Sequence, residues 1–311
     1  MRVARLHGVR DLRVEEVPDP VPAPGELLVR VDACGICPTD VRKYLLGTDG
    51  YPLNPGHEWV GRVEEVGRDV EGWEVGQRVY GDTYSGYAEL ATLAVEAGPW
   101  SNGALLVPES LPLERAIFVE PFADCLHAVV DQARVEQDQR VVVVGGGQMG
   151  LQLVLAAALG GGEVCLVEPH EERRALGPEL GAREAVRQLT DVDGKADAVI
   201  LSIGVAELVE ACVGLAAPGG RVVLFAGFGE PPRAELDFDR LHYEEIALLG
   251  SEWIGAPPNQ RRGHYAAALD ALVSGRAPLE RLVTARCGLD GIDAAFADAQ
   301  ELRGLKTMLV P

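Results

Sequence analysis

Hydrophobic and polar positions divide the chain into two regions of different period. From the N-terminus to about residue 110, apolar residues come in short runs broken by glycine and proline. Leu12, Val14 and Glu16 begin an alternation, PDPVPAPGE (18–26) is a Pro-rich turn, and ELLVRVDA (26–33) alternates again. WVGRVEEVG (59–67), GQRVYGD (76–82) and SGYAELATLAV (85–95) continue the pattern, predicting a β-rich domain of partly closed barrel type. From Leu113 to about Asp131 the period becomes helical. Strand and helix then alternate: Val141–Val144, Leu151–Leu159, Glu163–Val167, DAVILSIG (197–204), a helix through Leu215, GGRVVLFAGF (219–228) and EIALLGS (245–251). Such alternation with right-handed crossovers implies an open parallel sheet. The tail from about Gly263 reads as helix (264–275), strand (282–289), helix (291–300) and strand (305–310). The fold class expected is therefore α/β. A chain of 311 residues is long for one core.

The stretch from Arg140 to Glu168 carries chemistry. Four valines, Val141 to Val144, suit a strand buried on both faces. Gly145, Gly147 and Gly150 follow at G-x-G-x-x-G spacing, with Gln148 and Met149 between them, and an apolar helix comes next. The first glycine permits a tight turn, the second lets backbone approach a pyrophosphate, and the third lets helix and strand pack closely. Glu168 ends the second strand, where a carboxylate accepts from ribose hydroxyls and repels a 2′-phosphate. This predicts a dinucleotide site that prefers NAD to NADP, although Arg173 and Arg174 lie near enough to meet a phosphate.

Composition narrows the partners. A net charge of −20 with no basic block argues against nucleic acid and anionic membrane. No apolar run lacks charge over the length of a membrane span, and MRVARLHGVRDLRVEE has no apolar core of a leader, so a cytoplasmic location is expected. Six scattered cysteines do not make a disulfide framework, and Cys125, Cys165 and Cys212 read as small buried core residues.

Two further motifs complete the picture. Cys34-Gly-Ile-Cys37-Pro-Thr39-Asp40 closes the first β segment, and Gly56-His57-Glu58 follows about 20 residues later. Cys, His and Glu are all competent zinc ligands. No second Cys pair exists to complete a four-thiolate site. A redox Cys-x-x-Cys is disfavoured because the motif is not expected to open a helix after a strand.

Together, CGICPTD, PGHEWVGRVEEVG, VEPFADCLHA and VVVVGGGQMG…VEP resemble the zinc-dependent medium-chain alcohol dehydrogenases, in the branch of polyol, sugar and threonine dehydrogenases. The resemblance spans the whole chain. It implies a GroES-like catalytic domain (1–123 and 262–311) and a doubly wound Rossmann domain (124–261). It also implies one catalytic zinc per chain, a small-molecule alcohol or ketone substrate, and a homo-oligomer, dimer or tetramer. Carried over by motif, Cys37, His57 and Glu58 bind the metal. Glu120 stands near or on it, Asp40 orients His57, and Thr39 contacts the substrate oxygen. Nicotinamide would lie in the cleft between the domains, with Tyr44, Tyr51 and Trp59 as the aromatics expected nearby. Lys43 reads as part of a solvated helix face.

Three departures stand out. The family commonly inserts a lobe of four close cysteines, binding a structural zinc, between its GD and YAE motifs. Here Gly81-Asp82 runs through four residues into Tyr87-Ala-Glu89. Pro38 follows the zinc cysteine, and Arg42 stands where many members carry a relay histidine. The activity implied is NAD-dependent oxidation of a secondary alcohol of a polyol, sugar or aminocyclitol. Threonine-type amino-alcohol oxidation and a non-catalytic cofactor-binding protein are the alternatives.

Overall fold

A computed structural model describes residues 1–98, 101–228, 233–252 and 257–311. In chain order the first elements are β1 (Arg2–Gly8), β2 (Asp11–Glu16), β3 (Glu26–Gly35), α1 (Pro38–Leu46), β4 (Trp59–Val66), β5 (Arg78–Gly81), β6 (Leu90–Ala94), β7 (Leu105–Leu106), α2 (Leu113–Ala116) and α3 (Val119–Leu126). Then come β8 (Arg140–Val144), α4 (Gln148–Leu159), β9 (Glu163–Val167), α5 (Glu171–Glu179), β10 (Glu184–Val186), β11 (Ala196–Leu201), α6 (Leu208–Leu215), β12 (Ala216–Leu224), α7 (Phe238–Tyr243) and β13 (Ala247–Gly250). The chain closes with α8 (Pro258–Val273), β14 (Val283–Cys287), α9 (Ile292–Gln300) and β15 (Lys306–Leu309).

The chain divides into two compact units, Met1–Glu120 with Pro258–Pro311, and Pro121–Pro257. In the first, β14-β15-β3-β4-β5-β7 form one sheet, with β6 also paired to β3. The last strand of the chain therefore lies beside the third. Met308 pairs with Gly35 and Leu309 with Cys34, antiparallel. The core collects alternate residues of these strands, Leu27, Val29, Val31, Val63 and Val79 among them, with Trp59, Tyr87 and Phe296 filling its bulk.

In the second unit β10-β9-β8-β11-β12-β13 form a six-stranded parallel sheet. Val141 to Val144 are buried, as expected of a strand covered on both faces. Strand order reverses between β8 and β11, and the glycine loop after β8 sits at that reversal, where open α/β sheets bind ligands.

The helix expected from Leu113 to Asp131 is broken. It divides into α2 and α3 and ends in a π-helical run, His127–Ala133. Pro121 explains the first break, because its ring would meet the carbonyl four residues earlier; it is accommodated in the first turn of a new helix.

Candidate metal and nucleotide sites

The end of β3 and the start of β4 build one site. Cys37 is the N-cap of α1, its Sγ accepting from the Thr39 N–H at 3.4 Å, with Pro38 in the first helical position. The motif does open a helix after a strand, contrary to the expectation from sequence; Pro38 lacks the N–H that this position leaves unused. A redox pair is still not formed. Cys34 lies within β3, fully buried, and burial raises its thiol well above the ordinary value, with Glu58 adding to the effect.

His57 and Glu58 precede β4, and the Gly35 N–H donates to the Glu58 carbonyl at 2.9 Å, joining the two segments. Gly56 has φ +92°, and a Cβ there would press on the Tyr87 ring and backbone nitrogen, so this bend requires glycine. The side-chain donors of Cys37, His57 and Glu58 all lie within 4.8 Å of one another. Glu120 is outside that group. Desolvation raises its carboxyl to about 8, the charge of His57 opposing and that of Glu58 adding.

Each donor has a support. Oδ2 of Asp40 lies 3.4 Å from Nδ1 of His57, and the Tyr87 hydroxyl donates to the same oxygen at 2.9 Å. Burial works against an imidazolium at His57, but Asp40 and then Cys37 outweigh it and hold its pKa well above the ordinary value. Glu58 is completely buried, and Lys306 donates to its Oε2 at 2.5 Å. A Cβ on Gly35 would strike that carboxylate, so the glycine between Cys34 and Ile36 makes room for the pair. Oε1 of Glu58 is buried without a hydrogen-bond partner. An orphaned carboxylate oxygen beside a thiol and an imidazole is a donor set that zinc fits.

Thr39 is exposed on the first turn of α1. Of the three aromatics expected nearby, Trp59 is a core residue, fully buried, with its indole N–H on the Thr83 carbonyl. Tyr44 packs edge-on against Phe296, and Tyr51 is exposed. The aromatic beside His57 is Tyr84, with ring centroids 5.2 Å apart. Lys43 is partly exposed, as expected of a solvated face, but it has a partner there: its ammonium lies 3.8 Å from the Tyr84 ring centroid and contacts the hydroxyl. Sequence reading missed Lys306, Tyr84 and Tyr87. The chain alone held one usable signal, the Tyr87-Ala-Glu89 motif, because Lys306 is 248 residues from its partner.

The nucleotide loop is equally explicit. Gly145 has φ +103° and donates to the Val167 carbonyl at 2.8 Å. A Cβ on Gly150 would collide with the Gly145 carbonyl oxygen, whereas one on Gly147 would meet nothing within 4 Å. Gly147 caps α4, whose first turn carries no acid, leaving open space before a helix N-terminus suited to a phosphate. Gln148 is buried, and the Met149 carbonyl accepts weakly from Cys125 Sγ at 3.7 Å. Glu168 accepts from the Gly146 N–H at 2.6 Å. Arg173 sits half-buried on α5, while Arg174 donates to the Glu168 and Pro169 carbonyls at 2.8 and 3.0 Å.

Residues 23–102 match the family model of the alcohol dehydrogenase GroES-like domain, and residues 145–274 match that of zinc-binding dehydrogenases. The sorbitol dehydrogenase of Bombyx mori is 28% identical over 98% of this chain and 97% of its own. The L-threonine 3-dehydrogenase of Streptomyces avermitilis is 28% identical over 94% of each chain. Among solved structures, a zinc-binding dehydrogenase of Sinorhizobium meliloti 1021 bound to NADP superimposes with a TM-score of 0.85 and 27% identity, covering 100% of this chain and 99% of that one. Among the described residues no helix is long and apolar enough to cross a membrane.

Proposed function

Since the chain belongs to the zinc-type medium-chain alcohol dehydrogenases, in their polyol and threonine branch, we propose that it oxidises a secondary alcohol of a polyol, sugar or aminocyclitol to a ketone. In this reading hydride passes to NAD, and each chain holds one catalytic zinc. The observation that carries the reading is the convergence of Cys37, His57 and Glu58 within 4.8 Å. A zinc ion there supplies Lewis acidity toward a substrate oxygen.

The chain's own residues do the remaining work. Asp40, steadied by Tyr87, holds the imidazole of His57 from its Nδ1 side, in the group the ring forms with Cys37 and Glu58. Lys306 fixes one oxygen of Glu58 and leaves the other for the site. Thr39 takes the hydroxyl proton and passes it on. A guanidinium does not accept a proton near neutral pH, so the relay bypasses Arg42 and ends in water. Glu168 meets the ribose and repels a 2′-phosphate, which supports NAD.

Sorbitol and threonine, named for two relatives, each carry a secondary hydroxyl beside another hydroxyl or an amine. The test is a metal analysis joined to a screen of sugar alcohols, aminocyclitols and threonine with NAD. Metal-free protein that turns over alcohols would overturn the zinc reading. Activity confined to threonine would replace the polyol reading with the amino-alcohol one.

A further inference from the structure

The carboxylate offered to the ribose is already engaged. Glu168 is buried at the end of β9. Its Oε2 accepts from the Gly146 N–H at 2.6 Å. Its Oε1 accepts from the His170 backbone N–H at 2.8 Å and lies 2.6 Å from Nδ1 of the same residue. A carboxylate oxygen has two lone-pair directions, so Oε1 is filled and Oε2 has one left. To receive two ribose hydroxyls, Glu168 must release one protein donor. Two of the three are backbone N–H groups, fixed by the glycine loop and by the start of α5. The third is the His170 ring, whose side chain is 65% exposed and turns on two torsions.

We propose that His170 is a specificity-determining residue of the nucleotide site: a latch on Glu168 that a ribose with both hydroxyls free must displace and that a 2′-phosphorylated ribose, with one hydroxyl, need not. The inference rests on the reading that Glu168 faces the adenosine ribose. Its consequence is a cofactor preference that depends on pH. A neutral ring gives up Glu168 readily. An imidazolium holds it through a charge-assisted bond, roughly twice as strong as a neutral one, and places positive charge where a 2′-phosphate would lie. Acid should therefore weaken NAD binding and favour NADP.

The surroundings leave this role to His170. Glu171 and Glu172 open α5, followed by Arg173 and by Arg174 on the β9 carbonyls. On the β10 side Arg187 follows Val186, whose carbonyl accepts from the Glu168 N–H at 3.0 Å. The loop on the other side, Gly145–Gly147, carries no charge. Among these groups His170 is the one imidazole.

The experiment is fluorescence titration of the metal-loaded protein with NADH and NADPH near pH 8 and near pH 5.5, in wild type, His170→Asn and His170→Lys. The 2′-phosphate of the free cofactor itself titrates near pH 6, whichever protein is present, so the comparison between proteins is what counts. Near pH 8, His170→Asn should bind NADH about two- to tenfold more tightly than wild type, the worth of one hydrogen bond released. On acidification, the preference for NADH should fall further in wild type than in His170→Asn. His170→Lys should stay near the acidic wild-type preference at both values. The same pH course in wild type and His170→Asn would overturn the latch. Tighter NADPH binding in wild type at both pH values would instead count against the NAD reading, and the comparison of variants would still decide the role of His170.

Discussion

Nζ of Lys306 lies 2.5 Å from Oε2 of Glu58, and neither side chain is exposed to solvent. The two are 248 residues apart, and β15 brings them together by pairing with the end of β3. Removing one member of a buried ion pair strands the other charge, at a cost of about 3–5 kcal/mol. Lys306→Met should therefore destabilise the metal-free protein by about that amount, and Lys306→Met with Glu58→Leu by clearly less. Urea unfolding of wild type, Lys306→Met, Glu58→Leu and the double variant measures this. An unchanged midpoint for Lys306→Met would show that the pair contributes nothing.

Metal content separates the two cysteines of the motif. Cys37 faces His57 and Glu58, whereas the Cys34 thiol is fully buried in β3 and donates to the Gly35 carbonyl at 3.5 Å. Elemental analysis should find about one zinc per chain in wild type and in Cys34→Ala, and almost none in Cys37→Ser or His57→Ala. Two ions per chain, or loss of zinc from Cys34→Ala, would show that the ligand assignment is wrong.

The parts of the site legible in the sequence are those that local spacing carries. The glycine fingerprint and its terminal Glu168 lie within one βαβ unit, and strand β9 runs over the residues expected for it, Glu163–Val167. The grouping of Cys37, His57 and Glu58 was legible because few residue types offer donors that zinc accepts. Lys306 and Tyr84 were not, since their roles depend on register between distant segments and on one short loop. Lys43 looked like a solvated lysine because nothing nearby in sequence shows Tyr84 turning toward it. Trp59 follows Glu58 directly, but strand alternation sends its ring into the core on the other face.

Tyr87 stands two contacts away from the proposed metal site. Its hydroxyl donates to Asp40, which in turn faces Nδ1 of His57. Loss of such an outer partner typically weakens metal binding about 10- to 100-fold. Tyr87→Phe should fall in that range in chelator competition, with its fold retained because the ring still packs on Phe296. Wild-type affinity in this variant would make the bond to Asp40 incidental.

The glycine loop offers a sharp steric test. A Cβ on Gly150 would collide with the Gly145 carbonyl oxygen, which is backbone and also accepts from the Ser202 hydroxyl at 3.0 Å. Gly150→Ala must therefore displace the loop, and should weaken NADH binding at least about tenfold, or 1.4 kcal/mol. Zinc content should be unchanged, because the proposed metal ligands belong to the other compact unit. Normal NADH affinity in Gly150→Ala would remove the loop from the nucleotide site.

Substrate preference follows from what stands beside His57. Tyr84 is 40% exposed, its ring 5.2 Å from that of His57, and it carries the Lys43 ammonium. Among the described residues Lys43 has no carboxylate within 4 Å, so a second substrate oxygen could accept from it. A hydrogen bond from a charged group contributes about 1.5–3 kcal/mol, or about one to two powers of ten in binding. Ethanol has one oxygen and cannot use it. A vicinal diol, a cyclic polyol and an aminocyclitol should therefore each exceed ethanol in kcat/KM at saturating NAD. Lys43→Met should lower kcat/KM for the diol about tenfold or more and leave ethanol nearly unchanged, and Tyr84→Phe, which frees Lys43 from its phenol partner, should have a smaller effect. If ethanol gives the highest kcat/KM in wild type, the polyol reading fails and a plain alcohol dehydrogenase takes its place. If Lys43→Met lowers all four substrates equally, the ammonium serves the site as a whole through Tyr84 rather than a second substrate oxygen.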